Sequence, residues 1–418
     1  MLVSGKIEPI IPSDSDLVPL LELASDLRSD CAKLLPLVGK EARATLCKLL
    51  RAMNSYYTNK IEGQHTYPAD LEDALHSKFS TVDETKRRQQ LAIAHMRVEE
   101  ELEIESKNAS WSELFAPEWI SRIHERLYSK LDGESLKIFD REGNLCETMI
   151  PGHIRTGWVE VGTHRAPDPE DVSDLLRHFQ LRYGEHRSDT MKIIVAGSSM
   201  HRLSWIHPFP DGNGRVGRLQ NHLLLARLGL TEGLWSPMRG LARRQKDYYG
   251  ALHQADLKRR NDSDGRGNLS SQGLAEYVKF WLEVSADQVS FMSKMLSLET
   301  IRERYVSLAL QFLFDYGRGP ILHHRSKVKP ELLGGALYEL FKHGRLERGA
   351  FKAIINCSDR TASRVISKLI EQGLVTSPSR VGHLEPGFPF FSLRFLFPGL
   401  WPEAESIVKP PPSTKLAS

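Results

Sequence analysis

The residues best suited to chemistry lie in one short segment, Ile206–Arg218, which reads IHPFPDGNGRVGR. Asp-Gly-Asn-Gly is typical of a turn rather than of a helix interior, because Gly and Asn favour turns and positive φ. A helix is predicted to start at about Gly214. The successive backbone N–H groups of Gly212, Asn213 and Gly214, together with the helix N-terminus, would then form a cradle for an anion such as phosphate.

Ionisable side chains flank this predicted cradle. Arg215 and Arg218 are three residues apart, so both lie on one face of the first helical turn, where they can grip phosphate oxygens. Asp211 supplies a hard oxygen ligand for Mg²⁺ bridging the same phosphates. His207 ends the preceding helix, next to Pro208, and can accept a proton near neutral pH. The set suits phosphoryl or nucleotidyl transfer, in which positioning and charge stabilisation dominate.

Taken singly, each of these residues has an ordinary explanation. A histidine before proline is usually structural, Asn-Gly is usually a turn, and arginine pairs on helices are usually solvated. The conjunction favours function, since nine specified residue types fall within the twelve positions 207–218 and each matches by chance roughly one time in twenty.

The segment resembles the signature of the Fic family, HPFxDGNGRxxR, at every specified position. The resemblance extends over roughly residues 15–290 and implies a helical bundle that transfers AMP from ATP to a protein hydroxyl. It implies that His207 deprotonates the target hydroxyl, which attacks the α-phosphate as pyrophosphate leaves. Asp211 would hold Mg²⁺ and Arg218 the γ-phosphate. The implied nucleotide-binding residues are Gly212, Asn213, Gly214, Arg215, Gly217, Arg218, Tyr248 and Tyr249.

Two further segments are similar to parts of that family. Gly152–Gly162 is short, alternating and bounded by glycine, which predicts a β-hairpin, and Arg155–His164 resembles the Fic flap that pairs with an extended target segment. The implied docking residues are Val159, Glu160, Val161, Gly162, Thr163 and His164. The alternative is a surface hairpin without a role.

The second segment is the tyrosine pair on a later helix. Tyr248 and Tyr249 resemble the aromatic pair that lies near adenine in the family, but Asp256 stands where some members have Asn.

An inhibitory pattern precedes the core. Thr58–Gly63, TNKIEG, matches (S/T)xxxE(G/N), which is found N-terminal to the core in one Fic class. The match implies that Glu62 pairs with Arg218 and keeps that arginine from the γ-phosphate. Alternatively, Glu62 positions a water that removes AMP from a modified target.

Composition is that of an ordinary globular protein. The 418 residues are 40% hydrophobic and 26% charged with net charge +3, which predicts two or three domains and no global basic field. The four cysteines, Cys31, Cys47, Cys146 and Cys357, are far apart, which favours a reducing compartment. No signal peptide and no apolar run of the ~20 residues that span a bilayer are found. We therefore expect a cytoplasmic protein without membrane contact.

The predicted fold class is mainly α, a Fic helical bundle with a β-hairpin flap and a C-terminal winged helix-turn-helix. The predicted divisions are an N-terminal helical region carrying the inhibitory motif (1–110), the catalytic core (111–290), a helix and linker (291–330), the winged helix (331–400) and a disordered tail (401–418). In the winged helix, Leu346–Ile355 precedes a turn and the recognition helix Arg360–Gln372, with a buried stripe of Val365, Leu369 and Ile370. A strand-like segment ends at Arg394.

The predicted function is autoinhibited protein adenylyltransferase activity, with ATP as substrate and Mg²⁺ as metal. The partner is a hydroxyl-bearing protein, which includes the chain itself, and a homodimer is a further expectation. The winged helix binds DNA or serves as a dimerisation or docking module. Two alternatives remain: a DNA-binding regulator with a nucleotide-sensing Fic core, and a Fic enzyme that removes AMP or transfers another nucleotide.

Overall fold

Helices form most of the chain in the computed structural model, which confirms the mainly α class. The structure describes residues 3–139, 142–162, 164–317 and 328–401. Two units can be distinguished, one formed by residues 1–32 and 54–290 and the other by residues 33–53 and 291–418. The predicted linker residues 318–327 and tail residues 402–418 lie outside the described residues.

The first unit is built mainly from helices, and its helix starts carry recognisable signals. Pro117 occupies the first turn of α5, and the Ser188 hydroxyl caps α7 by accepting a hydrogen bond from the Met191 N–H. The helices that lie wholly or partly in this unit are α1 (Asp14–Leu34), α2 (Lys40–Ile61), α3 (Pro68–Leu75), α4 (Asp83–Asn108), α5 (Pro117–Tyr128), α6 (Val172–Tyr183), α7 (Asp189–Ile206), α8 (Asn213–Arg227), α9 (Met238–Arg243), α10 (Gln245–Asp256) and α11 (Ser271–Met295).

Helix α8 lies at the centre of this unit. Its side chains are apolar on more than one side, and Leu219, Leu223 and Leu225 are fully buried. Helices α4, α5 and α7 all pack against it. A helix that is apolar nearly all round belongs inside a bundle, so the loop that leads into α8 is held by a rigid scaffold.

Two small antiparallel hairpins accompany the helices. Strand β1 (Lys137–Phe139) pairs with β2 (Leu145–Thr148), a hairpin that sequence analysis did not predict. Strand β3 (Glu160–Val161) pairs with β4 (His164–Arg165). The hairpin predicted over Gly152–Gly162 is therefore wrong in its position.

The physical reason for this shift is Arg155. Its guanidinium donates hydrogen bonds to the carbonyls of Gly157, at 2.9 Å, and of Pro167, at 2.7 Å. These bonds draw the backbone into an irregular loop instead of a strand ladder. The paired strands begin only at Glu160.

The second unit contains α12 (Leu298–Gly317), α13 (Pro330–His343), α14 (Arg348–Ile355), α15 (Asp359–Glu371), α16 (Leu393–Leu396) and the strand pair β5 (Val375–Thr376) and β6 (Glu385–Pro386). In α15, Val365 and Leu369 are buried as predicted, but Ile366 replaces Ile370 in the fully buried stripe. The predicted strand near Arg394 is wrong, because residues 390–396 form helical turns whose Phe390, Leu393 and Leu396 are buried.

Among the described residues, no helix is both long and apolar enough to cross a bilayer.

Candidate active site

His207 stands at the junction between α7 and the predicted phosphate loop. It adopts a left-handed backbone conformation with φ of 51°, which turns the chain out of the helix. Its N–H still donates to the Leu203 carbonyl, at 3.1 Å, and its own carbonyl accepts from Arg155 Nε, at 2.7 Å. The histidine is thus fixed by the helix on one side and by the flap loop on the other.

The protonation state of His207 follows from its surroundings. Burial, with smaller contributions from the neighbouring charges of His164 and Arg155, lowers the pKa of His207 to about 4. Its Nδ1 lies 3.3 Å from the Ser204 carbonyl, which can only accept, so Nδ1 carries the hydrogen. The neutral ring therefore keeps its lone pair on Nε2, the form that a general base requires.

The loop before α8 is closed by the side chain of Asn213. Its amide nitrogen donates to the Phe209 carbonyl, at 2.7 Å, and its amide oxygen accepts from the Phe209 N–H, at 2.9 Å. Both polar ends of the side chain are used to hold the turn, so any ligand contact from Asn213 comes from its backbone.

Gly212 is required at the base of this loop. It has φ of 82°, and a Cβ there would lie 2.3 Å from the Tyr128 hydroxyl oxygen. Its N–H donates to Asp211 Oδ1, at 2.6 Å. The carboxylate predicted to bind metal thus turns one oxygen toward its own loop.

Two residues of α5 that sequence analysis missed support the loop from beneath. His124 accepts a hydrogen bond at Nδ1 from the Gly152 N–H, at 2.8 Å, and its Nε2 lies 3.2 Å from the Asp211 carbonyl. Burial lowers the pKa of His124 to about 4, and its ring stacks on Phe209 at 4.0 Å. The sequence did contain a signal for these two residues, because two polar side chains, His124 and Tyr128, lie four residues apart on an otherwise apolar helix face.

Arg215 is engaged by side chains of the inhibitory segment, of α5 and of Gln64, which directly follows that segment. Its guanidinium donates to Asn59 Oδ1, at 2.8 Å, to the Tyr128 hydroxyl, at 2.9 Å, and to Gln64 Oε1, at 2.7 Å. Sequence analysis did not identify these three partners. In this structure all three guanidinium nitrogens of the predicted phosphate ligand are committed to protein groups.

Arg218 contacts the end of α2. Its Nε donates to Thr58 Oγ1, at 2.8 Å, and its Nη2 donates to the Thr58 carbonyl, at 3.1 Å, and to Glu62 Oε1, at 2.5 Å. Arg218 is 3% exposed and the Glu62 side chain 31%. Burial opposes ionisation of the Glu62 carboxyl, but the charges of Arg218 and Arg215 outweigh it and hold its pKa below the ordinary value.

The Glu62 carboxylate also reaches the first turn of α8. A Cβ placed on Gly214 would lie 2.3 Å from Glu62 Oε1 and 3.0 Å from Arg218 Nη1. A negatively charged group therefore already lies at this helix N-terminus, where the helix dipole and backbone N–H groups favour an anion.

The tyrosine pair lies on α10 beside the same end of α2. Tyr248 is buried, which raises its pKa to about 12, whereas Tyr249 is 47% exposed. The two rings stack with centroids 5.7 Å apart. The Tyr249 hydroxyl and Gln245 Nε2 both donate to the Ile61 carbonyl, at 3.0 and 2.9 Å. Helix α10 thus fixes the residue that precedes Glu62.

A cavity of about 520 Å³ joins most of these groups. Its lining residues are Glu62, Val161, Gly162, His164, Ser204, His207, Asn213, Gly214, Arg218, Tyr248, Tyr249, Leu252, His253 and Asp256. Asp211, Gly212, Arg215 and Gly217 are not among the described residues that line it. For Gly217 the reason is packing against α7, since a Cβ there would lie 3.6 Å from Ser204 Oγ.

One wall of the cavity comes from the flap. Val161, Gly162 and His164 line it, and Val161 is 47% exposed. His164 is anchored, with Nε2 2.9 Å from the Trp205 carbonyl. Glu160 lies in β3 and Val159 just before it, whereas Thr163 lies outside the described residues.

The far end of the cavity carries an acidic group. The Asp256 carboxylate lies 3.2 Å from His201 Nε2 and 4.0 Å from His164 Nδ1. Burial, the largest single influence, would raise the pKa of Asp256, but the hydrogen bond from His201 and the neighbouring charges of His201, His164 and Arg202 together lower that pKa. The position where some Fic members have Asn thus holds a carboxylate tied to two histidines.

The residues present fit a nucleotide with Mg²⁺. The Glu62 carboxylate at the start of α8 marks a place where an anion is stable next to Arg218. The Asp211 carboxylate is a hard oxygen donor of the kind Mg²⁺ prefers, and it lies in the loop between His207 and the cradle.

Comparison with known proteins defines the class. Residues 114–225, from just before α5 through α8, match the model of the Fic/DOC family. The chain thus carries a Fic/DOC domain. The matched residues include the signature at 207–218 that carries the resemblance.

Curated relatives are similar over a restricted segment. The protein adenylyltransferase Fic of Drosophila melanogaster is 39% identical over 111 residues, 26% of this chain and 23% of that protein. The protein of the same name from Drosophila virilis is 39% identical over 79 residues, 19% of this chain and 16% of that protein. The chain thus matches less than a quarter of the length of these relatives.

Solved structures are similar over a larger share of the chain at lower identity. A Fic family protein from Desulfovibrio desulfuricans is 18% identical, covering 87% of this chain and 95% of that one, with a TM-score of 0.47. A Fic domain containing signaling protein from Bacteroides thetaiotaomicron is also 18% identical, covering 65% of this chain and 96% of that one, with a TM-score of 0.49.

Proposed function

We propose that this chain is a protein adenylyltransferase that moves AMP from ATP to a hydroxyl side chain of a protein. The observation that carries the proposal is that His207 lines the same cavity as the α8 N-terminus and Arg218. A base beside an anion cradle is what nucleotidyl transfer to a hydroxyl requires. The curated relatives named protein adenylyltransferase support the same reaction.

The transfer step follows from the groups around the cavity. His207 Nε2 takes the proton of the target hydroxyl while that oxygen forms a bond to the α-phosphorus. The bond from the α-phosphorus to the bridging oxygen breaks, and pyrophosphate leaves with its electron pair. The α8 N-terminus stabilises charge on the phosphate oxygens. Asp211 would hold Mg²⁺, which neutralises phosphate charge when bound.

The flap supplies a means of presenting the target. The short strand β3 has an exposed Val161, and Gly162 and His164 follow it to the cavity wall. We propose that an extended target segment pairs with this strand and brings its hydroxyl toward His207. Main-chain pairing of this kind gives affinity with little side-chain selection.

We propose in addition that Glu62 inhibits the transfer. In its ion pair with Arg218, the carboxylate occupies the anion-favouring start of α8 and engages the Arg218 guanidinium. A nucleotide whose γ-phosphate requires Arg218 must break this pair, which leaves a buried charge without its partner and is therefore unfavourable.

The reverse use of the same site is a second candidate. The Glu62 side chain is 31% accessible and lines the cavity, so it can orient a water toward a bound phosphate. Removal of AMP from a modified target would then depend on Glu62, whereas transfer would be increased by its loss.

Mass spectrometry tests the proposed activity. The purified chain is incubated with ATP, Mg²⁺ and a cell lysate, and peptides are searched for AMP on Tyr, Ser or Thr. Modified lysate proteins or a modified copy of this chain support the proposal. With His207→Ala, AMP should be found neither on lysate proteins nor on this chain. Absence of AMP on every protein, with Glu62→Gly as well as with wild type, would refute it.

A separate proposal concerns the second unit. Helices α13, α14 and α15 with the β5–β6 pair have the element order of a winged helix-turn-helix, and Arg360 and Arg364 on α15 are exposed. The connection between the strands is held by Arg348, whose Nε donates to the Gly382 carbonyl at 2.9 Å. We propose that α15 contacts DNA through these arginines. The homodimer, self-modification and cytoplasmic location stay predictions.

A further inference from the structure

A buried group of ionisable side chains lies between α4 and α8, outside the cavity described above. His95, Glu99 and Glu103 follow one another at four-residue intervals, so they share one face of α4. His222 projects from α8 toward them. Its Nε2 lies 2.8 Å from Glu103 Oε1 and 3.6 Å from Glu99 Oε1.

The geometry of three of these residues matches a metal site. One ligand atom each from Glu99, Glu103 and His222 can be chosen so that all lie within 4.8 Å of one another. Zinc–nitrogen and zinc–oxygen bonds are about 2.1 Å long, so neighbouring ligands of a tetrahedral site are about 3.4 Å apart. The two distances from His222 Nε2, 2.8 Å to Glu103 Oε1 and 3.6 Å to Glu99 Oε1, lie on either side of that value.

The state of His95 points independently to a ligand at this place. The residue is 1% exposed, and neither of its ring nitrogens has a hydrogen-bond partner among the described residues. Its Nδ1 faces Glu99 Oε2 at 3.6 Å, which is too long for a hydrogen bond. Buried polar nitrogens are nearly always satisfied, and a carboxylate held by a metal ion would place a firm acceptor next to this ring.

We propose that Glu99, Glu103 and His222 bind one divalent transition-metal ion, with Zn²⁺ as the test ion and His95 as a positioning residue for Glu99. Imidazole in the ligand set favours Zn²⁺ and its first-row neighbours over Mg²⁺ and Ca²⁺, which take oxygen ligands. The ion joins α4 to α8 one helical turn beyond Arg218. It is distinct from the Mg²⁺ expected at Asp211.

Metal content tests the proposal directly. The full-length chain, purified without a polyhistidine tag and stripped with a chelator, is dialysed against excess Zn²⁺ and then against metal-free buffer, and is analysed by mass spectrometry for bound metal. We expect about one ion per chain in wild type and none above background in Glu103→Gln and His222→Ala. Co²⁺ loading should give visible absorption that these two variants lose. His95→Gln should lower the affinity roughly 10- to 100-fold.

A matched control separates this site from other His–Glu pairs. Glu8 lies 2.9 Å from His178 elsewhere in the same unit. Glu8→Gln makes the same substitution in a Glu–His contact outside the proposed site, so this variant should keep the full metal content. Circular dichroism checks that each variant is folded. Glu103→Gln preserves shape at a side chain that is 13% exposed. Failure of folded wild type to bind Zn²⁺ stoichiometrically, or equal binding by wild type and Glu103→Gln, would overturn the proposal.

Discussion

Glu62 Oε1 lies 2.5 Å from Arg218 Nη2 although 156 residues separate the two positions in the chain. The pair connects the end of α2 to the first turn of α8, and the same arginine also binds Thr58 through two further hydrogen bonds. The end of α2 is held from the other side by α10, through the Ile61 carbonyl. The proposed inhibition therefore rests on a fixed helix end, with Glu62 at its tip.

Loss of the Glu62 carboxylate should activate transfer. In Glu62→Gly the Arg218 guanidinium loses its carboxylate partner and can pair with phosphate, so we expect the rate of AMP transfer to rise roughly 10- to 100-fold. Glu62→Gln keeps the size of the side chain but not its charge, and should activate as well. Initial rates of both variants measured against wild type check this, and unchanged rates in both would contradict the proposed inhibition.

The pH profile should report an unusually acidic His207. Burial penalises the imidazolium, so the pKa falls to about 4 and the base form persists at lower pH. For Glu62→Gly, kcat/KM should therefore be insensitive to His207 titration between pH 8 and about 5 and fall as the pH approaches about 4. An acid limb centred near the ordinary histidine value of about 6.5 would contradict this assignment.

The loop before α8 should depend on Asn213 for stability. Asn213→Ala leaves the buried N–H and carbonyl of Phe209 without their partners, each at a cost of about 1–3 kcal/mol. We expect urea unfolding at lower concentration and lost transfer activity. Asn108→Ala removes an asparagine from the exposed end of α4 and should change stability by less than about 0.5 kcal/mol. Equal midpoints for the two variants would contradict the proposed role of Asn213.

DNA binding by the second unit should depend on salt and on α15. Arg360→Ala and Arg364→Ala each remove one proposed phosphate-binding guanidinium, so each should reduce the slope of log affinity against log salt by about 0.9. Arg302→Ala, an exposed substitution on α12, is the control and should leave the slope unchanged. Fluorescence anisotropy with a labelled duplex provides the measurement. No binding by wild type at low salt would remove the DNA proposal.

Local sequence chemistry predicted much of this chain because the decisive signals are close together. The positions of Gly212 and Asn213 define the turn, and the apolar run after them defines the central helix α8. The mainly α class and the Fic/DOC domain were predicted correctly on that basis. The inhibitory pattern also directed attention to Glu62, whose distance from Arg218 only the fold provides.

The supporting residues could not be found in the same way. Tyr128 and Asn59 contact Arg215, from which they are 87 and 156 residues apart in the sequence. No local sequence pattern around either residue indicates this contact. The hairpin was misplaced because glycine-bounded alternation predicts a strand, whereas hydrogen bonds from Arg155 to backbone carbonyls favour a loop. Long-range polar contacts therefore account for most of what the sequence left undetermined.

The most direct test of the central claim measures separately whether the α-phosphate or the γ-phosphate of ATP becomes bound to protein. Glu62→Gly protein is incubated with Mg²⁺, a cell lysate and ATP labelled at either the α- or the γ-phosphate, with Glu62→Gly/His207→Ala as the control. We predict protein-bound label from α-labelled ATP alone, and none with the control. Protein-bound γ-label would indicate phosphate transfer, and no label from either ATP would contradict AMP transfer by this chain.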